Sequence, residues 1–175
     1  EAASGSSPIY ETLAAFCRER SVYLGGSTIE LNDEGKLVNR FRLLGPDGAT
    51  VALYDKAHLF AVMQEDRYLA PGQTRVRFEM RGWQASPSIC FDLRFPEMYR
   101  FEAVAGANLF LVVAEWPRER AEILRGLAWA RAVENQAYLV LCNRTGPASD
   151  GTAFGGGSMI VAPSGTVLAD AGDAE

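Results

Sequence analysis

The chain has 175 residues, of which 48% are hydrophobic, 22% are charged and 10% are aromatic. This composition is ordinary for one folded domain, and it argues against an intrinsically disordered chain. The 17 Lys and Arg residues against 22 Asp and Glu residues give a net charge of −5 without any basic cluster, so a surface for nucleic acid or for an anionic membrane is not expected.

The cysteine and histidine content limits the compartment and the metal chemistry. Cys17, Cys90 and Cys142 are widely spaced and odd in number, which favours a reducing compartment over a disulfide framework, so we expect a cytoplasmic protein. His58 is the only histidine, and a structural zinc site needs several clustered ligands, so we expect no structural metal. No apolar run reaches the roughly 18–20 residues that span a bilayer. The sequence opens without methionine, and we interpret it as part of a longer protein.

The first half of the chain predicts one helix followed by strands. Helical apolar spacing predicts a helix over 11–20, with Leu13, Phe16 and Cys17 on one face. Residues 21–30 favour a strand, which the pair Gly25 and Gly26 interrupts. Further strands, separated by turn-forming residues, are predicted at 36–45, 50–60, 75–80 and 83–90.

The second half alternates helices with buried strands. A helix is predicted from Pro96, because proline suits the first turn of a helix. The apolar runs 108–116 and 137–146 predict strands that are buried on both faces. Between them lies a predicted helix over 118–135, and its expected inward residues are Ile123, Leu127, Ala130 and Val133. The last predicted element is a hairpin that turns at 163–165.

This order of elements predicts an α/β fold with a mixed sheet. Sheets of this kind place their functional groups at the carboxyl ends of the strands. Cys90, Glu115 and Asn143 all lie at or near such ends. The predicted architecture therefore favours an enzyme.

Cys90 has two interpretations. A buried structural cysteine is the simpler one, because cysteine packs well on an apolar strand. The alternative is a nucleophile, since an incoming helix favours a thiolate and the following backbone N–H is placed as an oxyanion donor. Asp92, Arg94 and Glu97 follow closely, and a purely apolar site would not need these charges.

Lys56 and Glu65 also have two interpretations each. Lys56, at the end of a strand, is either a surface lysine or a cation that stabilises a thiolate and an oxyanion. Glu65 lies in a polar segment rich in turn formers. It is either part of a solvated loop or an acid that orients Lys56. A dyad of Cys90 with His58 is a weaker alternative to a structural histidine. The residue pattern alone leaves these alternatives open.

Four segments resemble successive signature blocks of the nitrilase, or carbon–nitrogen hydrolase, superfamily. They are YDKAHLF, ICFDLRFPE, ARAVENQAYLVLCNRTG and GGSMIVAPSG, and in the family's order they cover essentially the whole chain. The segment AEWPRER and the RGW turn resemble the omega-amidase branch. The resemblance implies one domain over 1–175, truncated at both ends, with the nitrilase-like α-β-β-α sandwich of mixed sheets flanked by helices.

The resemblance also implies residue roles. Position by position, Cys90 matches the nucleophile, Lys56 the catalytic lysine and Glu65 the glutamate that supports this lysine. The family's general-base glutamate lies upstream of the chain, since Glu1 does not match it. Arg94, Glu97, Glu134 and Asn143 match blocks that shape the site.

Three further residues are implied to meet the substrate. The N–H of Phe91 matches an oxyanion donor, although a tyrosine is usual at this position. Arg94 and Trp116 match positions beside the substrate. Arg94, or else Arg118 or Arg120, is expected to meet a distal carboxylate by bidentate pairing.

The implied function is that of a cysteine-dependent amidohydrolase, which cleaves a small amide to acid and ammonia without a cofactor. The omega-amidase resemblance implies dicarboxylic acid monoamides such as 2-oxoglutaramate as substrates, and the family implies a homodimer. Two alternatives stay open at this point. One is a sibling enzyme, namely an aliphatic amidase, an N-carbamoyl hydrolase or a nitrilase, and the other is a catalytically degenerate binding or assembly protein.

Overall fold

The computed structural model describes residues 8–172 of the chain. The chain divides into two units, Glu1–Val76 and Arg77–Glu175, which we call the first and the second unit. The single domain over 1–175 stays a prediction, and Glu1 lies outside the described residues. Among residues 8–172, none of the helices combines the length and the hydropathy that crossing a lipid bilayer requires.

The first unit contains a helix and a three-stranded antiparallel sheet in the order β1-β2-β3. Its main elements are α1 Pro8–Arg20, β1 Leu24–Leu31, β2 Leu37–Leu44 and β3 Thr50–Asp55. The predicted interruption of the first strand is wrong, because β1 runs unbroken through Gly25 and Gly26. A Cβ on Gly25 would lie 3.1 Å from Cζ of Phe41 on the neighbouring strand, so the glycine leaves room for that ring.

The two faces of this sheet differ in chemistry, because alternate residues of a strand point to opposite faces. One face carries the buried apolar side chains of Phe41, Leu43 and Tyr54. The other face, on which Tyr10 of α1 packs, carries charges. There Arg42 Nη2 lies 2.9 Å from Glu30 Oε2, and the Arg42 guanidinium lies 4.3 Å from the centroid of the Tyr10 ring. Tyr10 therefore joins α1 to this face of the sheet through polar contacts.

The second unit contains a six-stranded mixed sheet in the order β11-β10-β7-β6-β5-β4. Strands β5, β6 and β7 are parallel, and the outer strands are antiparallel. The strands are β4 Phe78–Met80, β5 Trp83–Ile89, β6 Leu109–Ala114, β7 Tyr138–Asn143, β10 Met159–Val161 and β11 Val167–Asp170. A separate pair is formed by β8 Thr145–Pro147 and β9 Ala153–Gly155.

Helices α3 Pro96–Val104 and α4 Ala121–Asn135 provide the crossovers between the parallel strands. The buried residues of α4 include Leu124, Ala128 and Ala132. The expected inward position of Ile123 is wrong, since this side chain is 45% exposed, whereas Leu127 packs against the core as expected. The small alanine side chains allow the helix to approach the sheet closely, and this favours the observed face. The predicted α/β fold class, with mixed sheets flanked by helices, is confirmed.

Candidate active site

Cys90 lies at the end of β5, where the chain leaves the sheet. It begins a short 3₁₀ helix, Cys90–Arg94, which was not predicted, and α3 starts at Pro96 as expected. The residue before a proline is pushed into an extended conformation, which explains why the α-helix cannot begin earlier. Cys90 has φ 48°, a left-handed conformation that is rare for a residue of this type and is often found at functional sites.

Asp92 ties together the backbone around Cys90. Its carboxylate is fully buried, and Oδ2 accepts a hydrogen bond from the N–H of Ile89 at 3.0 Å. Its own carbonyl accepts a hydrogen bond from the N–H of Phe95 at 3.0 Å. A single residue thus connects the end of the strand, the 3₁₀ helix and the start of α3. The left-handed conformation of Cys90 lies inside this hydrogen-bonded turn.

A second polar contact holds the strand before Cys90. The hydroxyl oxygens of Ser88, on β5, and Tyr99, on α3, lie 2.5 Å apart, and both side chains are buried. Burial raises the pKa of Tyr99 well above the ordinary tyrosine value, the charge of Asp92 raises it further, and the bond to Ser88 acts in the opposite direction. Tyr99 is therefore a neutral hydroxyl at physiological pH.

Lys56 and Glu65 form an ion pair in the first unit. Nζ of Lys56 donates to both carboxylate oxygens of Glu65, at 2.8 and 2.6 Å, and the lysine side chain is 1% exposed. A surface lysine is therefore the wrong interpretation. Glu65 begins the short helix α2 Glu65–Tyr68, so the solvated loop is also wrong for this residue. The alternative in which an acid orients Lys56 is the one that the contacts bear out.

The backbone around this pair is fixed on each side. Glu65 Oε2 also accepts a hydrogen bond from the N–H of Phe60 at 2.7 Å, which orients the carboxylate. The N–H of Lys56 donates to the carbonyl of Asn39 at 2.8 Å, and the N–H of Gly72 donates to the carbonyl of Lys56 at 2.8 Å. A Cβ at Gly72 would lie 2.0 Å from the Asp55 carbonyl oxygen, so only glycine fits there.

Arg94 and Trp116 come together in the second unit, and their role beside a substrate stays a prediction. The guanidinium carbon of Arg94 lies 5.4 Å from the centroid of the Trp116 ring, a cation–π distance. Trp116 is 4% exposed, and within residues 8–172 its indole N–H has no hydrogen-bond acceptor. Arg94 is exposed and forms no ion pair with another described residue. It is thus a positioned cation whose charge is available to a ligand.

Asn143, at the end of β7, fixes the backbone of Trp116. Its Oδ1 accepts a hydrogen bond from the Trp116 N–H at 2.8 Å, and its Nδ2 donates to the carbonyl of Gly156 at 2.6 Å. Its own N–H donates to the hydroxyl of Ser158 at 3.0 Å. Asn143 therefore joins three chain segments at the carboxyl end of the parallel strands. Its predicted role in shaping this region agrees with these contacts.

The positions of the remaining predicted residues do not indicate a role. Phe91 follows Cys90 in the 3₁₀ helix, and its ring packs on the edge of Phe95 with centroids 5.4 Å apart. His58 is half-buried in the first unit, two residues after Lys56. Cys142 is exposed on β7, and Cys17 is buried in α1. The oxyanion role of Phe91 and the dyad of Cys90 with His58 stay predictions.

One buried charge near Cys90 was not predicted. Arg131 lies on the buried face of α4, where its Nε donates to the carbonyl of Leu93 at 3.1 Å. The signal that could have revealed it is an arginine spaced seven residues after the inward-facing Leu124, where the helical period predicts an apolar residue. The predicted inward face, which began at Ile123, did not include Arg131.

The second unit therefore offers a thiol on a constrained turn, together with an exposed guanidinium stacked on a buried indole. The first unit offers a buried ammonium group oriented by a carboxylate. A thiol can add to an electrophilic carbon, and an ammonium group can stabilise the negative charge that develops on a carbonyl oxygen. These groups suit nucleophilic acyl transfer.

Comparison with known proteins identifies the family of the chain. The family model described as carbon–nitrogen hydrolase matches residues 1–175. The chain is 40% identical over 159 residues to the omega-amidase YafV of Escherichia coli strain K12, covering 91% of this chain and 60% of that protein. It is 36% identical over 158 residues to the 2-oxoglutaramate amidase of Bacillus subtilis strain 168, covering 90% of this chain and 61% of that protein. The chain thus spans about three fifths of the length of these curated relatives.

A solved structure that is similar to this chain is also that of an amidase. An amidase mutant from Nesterenkonia sp. AN1, which shows the result of Michael addition of acrylamide at the active-site cysteine, superimposes with a TM-score of 0.86. It is 31% identical in sequence, and the match covers 94% of this chain and 64% of that chain.

Proposed function

The chain belongs to the carbon–nitrogen hydrolase family, and we propose that its protein is a cysteine-dependent amidohydrolase that releases ammonia from a small amide. The observation that carries the proposal is the placement of Cys90 at the end of β5, in a left-handed conformation with φ 48°. The conformation is strained for a cysteine, and purely structural packing would not require it. The active-site cysteine of the related Nesterenkonia amidase supports the same interpretation.

In the proposed reaction, the thiolate of Cys90 attacks the amide carbon and forms a tetrahedral intermediate. The ammonium group of Lys56 and the N–H of Phe91 stabilise the oxyanion. Ammonia then leaves with the proton that came from the thiol, and a thioester remains on Cys90. Water hydrolyses the thioester and regenerates the thiol. A carboxylate upstream of Glu1, implied by the family resemblance, is the proposed carrier of the proton.

We propose dicarboxylic acid monoamides, such as 2-oxoglutaramate, as the substrates. The names of the relatives from Escherichia coli and Bacillus subtilis support this class. The arrangement of Arg94 supports it independently, because an exposed guanidinium held over Trp116 suits bidentate pairing with a carboxylate. Arg118 and Arg120 are the alternative partners for that carboxylate.

A homodimer in the cytoplasm completes the proposal. The family resemblance is the basis for the dimer, and the absence of a disulfide at Cys17, Cys90 and Cys142 is compatible with a reducing compartment. Sedimentation equilibrium of the full-length gene product tests the dimer, and a monomer at micromolar concentration would contradict it. Cell fractionation tests the compartment.

The test of function is ammonia release by the full-length gene product. Its substrates should be monoamides with and without an α-keto group, a neutral aliphatic amide, an N-carbamoyl compound and a nitrile. We expect hydrolysis of the monoamides, and we expect Cys90→Ser to abolish it. Cys142→Ser is the matched control, because Cys142 is an exposed cysteine outside the proposed chemistry.

The other outcomes distinguish the alternatives. A preference for the neutral amide, the N-carbamoyl compound or the nitrile would identify a sibling enzyme in place of an omega-amidase. No hydrolysis of any compound, together with unreactive Cys90, would favour a catalytically degenerate binding protein. Full activity of Cys90→Ser would overturn the assignment of the nucleophile.

A further inference from the structure

Arg131 is a charge in a position where the fold would accept an apolar side chain. It is 5% exposed and lies on the same buried face of α4 as Leu124, Ala128 and Ala132. Burying a guanidinium is unfavourable unless its donors are satisfied, and replacing a buried ion pair by well-packed apolar residues is often neutral or stabilising. Packing of the core alone therefore does not account for an arginine here.

The contacts of Arg131 lead to the turn that carries Cys90. Its Nε donates to the carbonyl of Leu93, in the 3₁₀ helix that Cys90 begins, at 3.1 Å. Its Nη1 donates to Glu134 Oε1 at 2.9 Å, which orients the guanidinium from its own helix. Its Cζ lies 5.7 Å from the centroid of the Tyr99 ring on α3. One planar group thus links the 3₁₀ helix, α3 and α4.

The same turn is tied on its other side. Tyr99, over whose ring the guanidinium lies, contacts the hydroxyl of Ser88 on the strand before Cys90. The carboxylate of Asp92 binds the N–H of Ile89, the residue next to Cys90. Polar contacts therefore hold the backbone both before and after Cys90. Arg131 is the residue that contacts this backbone from α4.

We propose that Arg131 is a positioning residue for Cys90, which keeps the 3₁₀ turn and the left-handed backbone of the cysteine in the geometry for attack. Lysine cannot substitute for it, because its ammonium group lacks the planar fork that donates to two acceptors while stacked on a ring. The catalytic meaning of this position rests on the proposed amidohydrolase function. The geometric part concerns only the reactivity of the Cys90 thiol, and it can be measured without a substrate.

The test compares Arg131→Met and Arg131→Lys with the control Arg125→Met in the full-length gene product. Arg125 lies on the same helix and forms an ion pair with Asp170 at 2.5 Å, but its side chain is 32% exposed. Two quantities are measured: kcat and KM for a monoamide, and the rate at which iodoacetamide alkylates Cys90. Peptide mass spectrometry resolves that rate by site, with the exposed Cys142 as internal reference.

We expect Arg131→Met to lower kcat and the alkylation rate of Cys90 by about 10-fold to 100-fold, since small misplacements of a reacting group have effects of this size. We expect KM and the alkylation of Cys142 to stay close to those of the parent, and Arg125→Met to resemble the parent throughout. Arg131→Lys should recover little of the lost reactivity.

An unchanged ratio of Cys90 to Cys142 alkylation in a folded Arg131→Met variant would overturn the proposal. If Arg131→Met does not fold, Arg131→Lys decides by the same ratio, because it keeps the charge in the core and loses only the fork. Failure of the parent to hydrolyse any amide would overturn the proposed function instead, and the alkylation ratio would still decide the role of Arg131.

Discussion

Nζ of Lys56 lies within 2.8 Å of both carboxylate oxygens of Glu65, and the lysine side chain is almost completely buried. Two hydrogen bonds to one carboxylate fix the direction of the ammonium group as well as its position. The third contact of Glu65, from the N–H of Phe60, fixes the carboxylate in turn. The pair is therefore pre-organised, and in its proposed role little reorganisation would be needed when charge develops on a substrate.

Removal of the Lys56 ammonium group should abolish activity and also destabilise the fold. Lys56→Met leaves Glu65 without its partner, and breaking a buried pair in this way typically costs about 3–5 kcal/mol. The double variant Lys56→Met with Glu65→Gln removes the unpaired charge, so its Tm should lie closer to that of the parent. Its activity should remain about 10²–10³-fold below the parent.

Thermal unfolding and ammonia release measure these two effects separately. Activity of the folded Lys56→Met variant within a few-fold of the parent would contradict the assignment of Lys56.

The close approach of Gly72 to β3 should make this position intolerant of a side chain. In Gly72→Ala the new Cβ would lie 2.0 Å from the Asp55 carbonyl oxygen, so the backbone must move. That movement disturbs the hydrogen bond from Gly72 to the Lys56 carbonyl. We expect a loss of about 1–3 kcal/mol or more in the free energy of unfolding, by analogy with overpacked cores, and reduced activity.

Gly26→Ala is the matched control for this prediction, because a Cβ on Gly26 meets no atom within 4 Å. Urea unfolding of the two variants provides the comparison. Equal stabilities would show that the loop around Gly72 relaxes freely, contrary to the prediction.

The pKa of Tyr99 should make the protein sensitive to alkaline pH. Burial raises this pKa above the ordinary tyrosine value, so folding favours the protonated hydroxyl. The corresponding stabilisation is complete below pH of about 10, the unfolded value, and it is lost as pH rises through the folded value. We expect one tyrosinate step to appear together with unfolding in an ultraviolet titration monitored in parallel by circular dichroism.

Tyr99→Phe should remove that step from the difference titration, although burial also raises the pKa of Tyr10 and delays its ionisation. Ionisation of Tyr99 in a protein that remains folded, at the ordinary tyrosine value, would refute the prediction.

Arg94 should determine selectivity for substrates with a distal carboxylate. A hydrogen bond to a charged group contributes about 1.5–3 kcal/mol, which is roughly a 10-fold to 100-fold change in kcat/KM. Arg94→Met should lower kcat/KM by this factor for a dicarboxylic monoamide and much less for a neutral amide. Steady-state kinetics with Arg118→Met and Arg120→Met as comparison variants identify which arginine carries the effect. An equal loss for both substrates would argue against carboxylate recognition by Arg94.

Part of the fold could be predicted because the local patterns are strong. The apolar runs that became β6 and β7, and the proline that begins α3, specify their elements without reference to distant residues. The prediction at Gly25 and Gly26 was wrong, because glycine is a weak strand former on its own. The Phe41 ring of the next strand explains the presence of Gly25. Such tertiary reasons are not visible in a local window.

The candidate site shows the same limit. The cysteine and its charged neighbours could be found from their spacing, and the lysine and glutamate from the family resemblance. The burial of Lys56 could not be predicted, since a lysine at a strand end is more often exposed. The burial of Arg131 could not be predicted either, because its hydrogen-bond acceptor is the carbonyl of Leu93, 38 residues earlier in the chain.

The polar contact of Tyr10 with the sheet has a consequence for the position of α1. Tyr10 hydrogen-bonds Glu30, and Glu30 also pairs with Arg42. If α1 slid along the sheet by one turn, about 5.4 Å, Tyr10 would leave a buried carboxylate with one donor fewer. An apolar interface would tolerate such slippage with little penalty, because dispersion contacts are not directional. The buried hydrogen bond of Tyr10 to Glu30 therefore favours the observed register of this helix on its sheet.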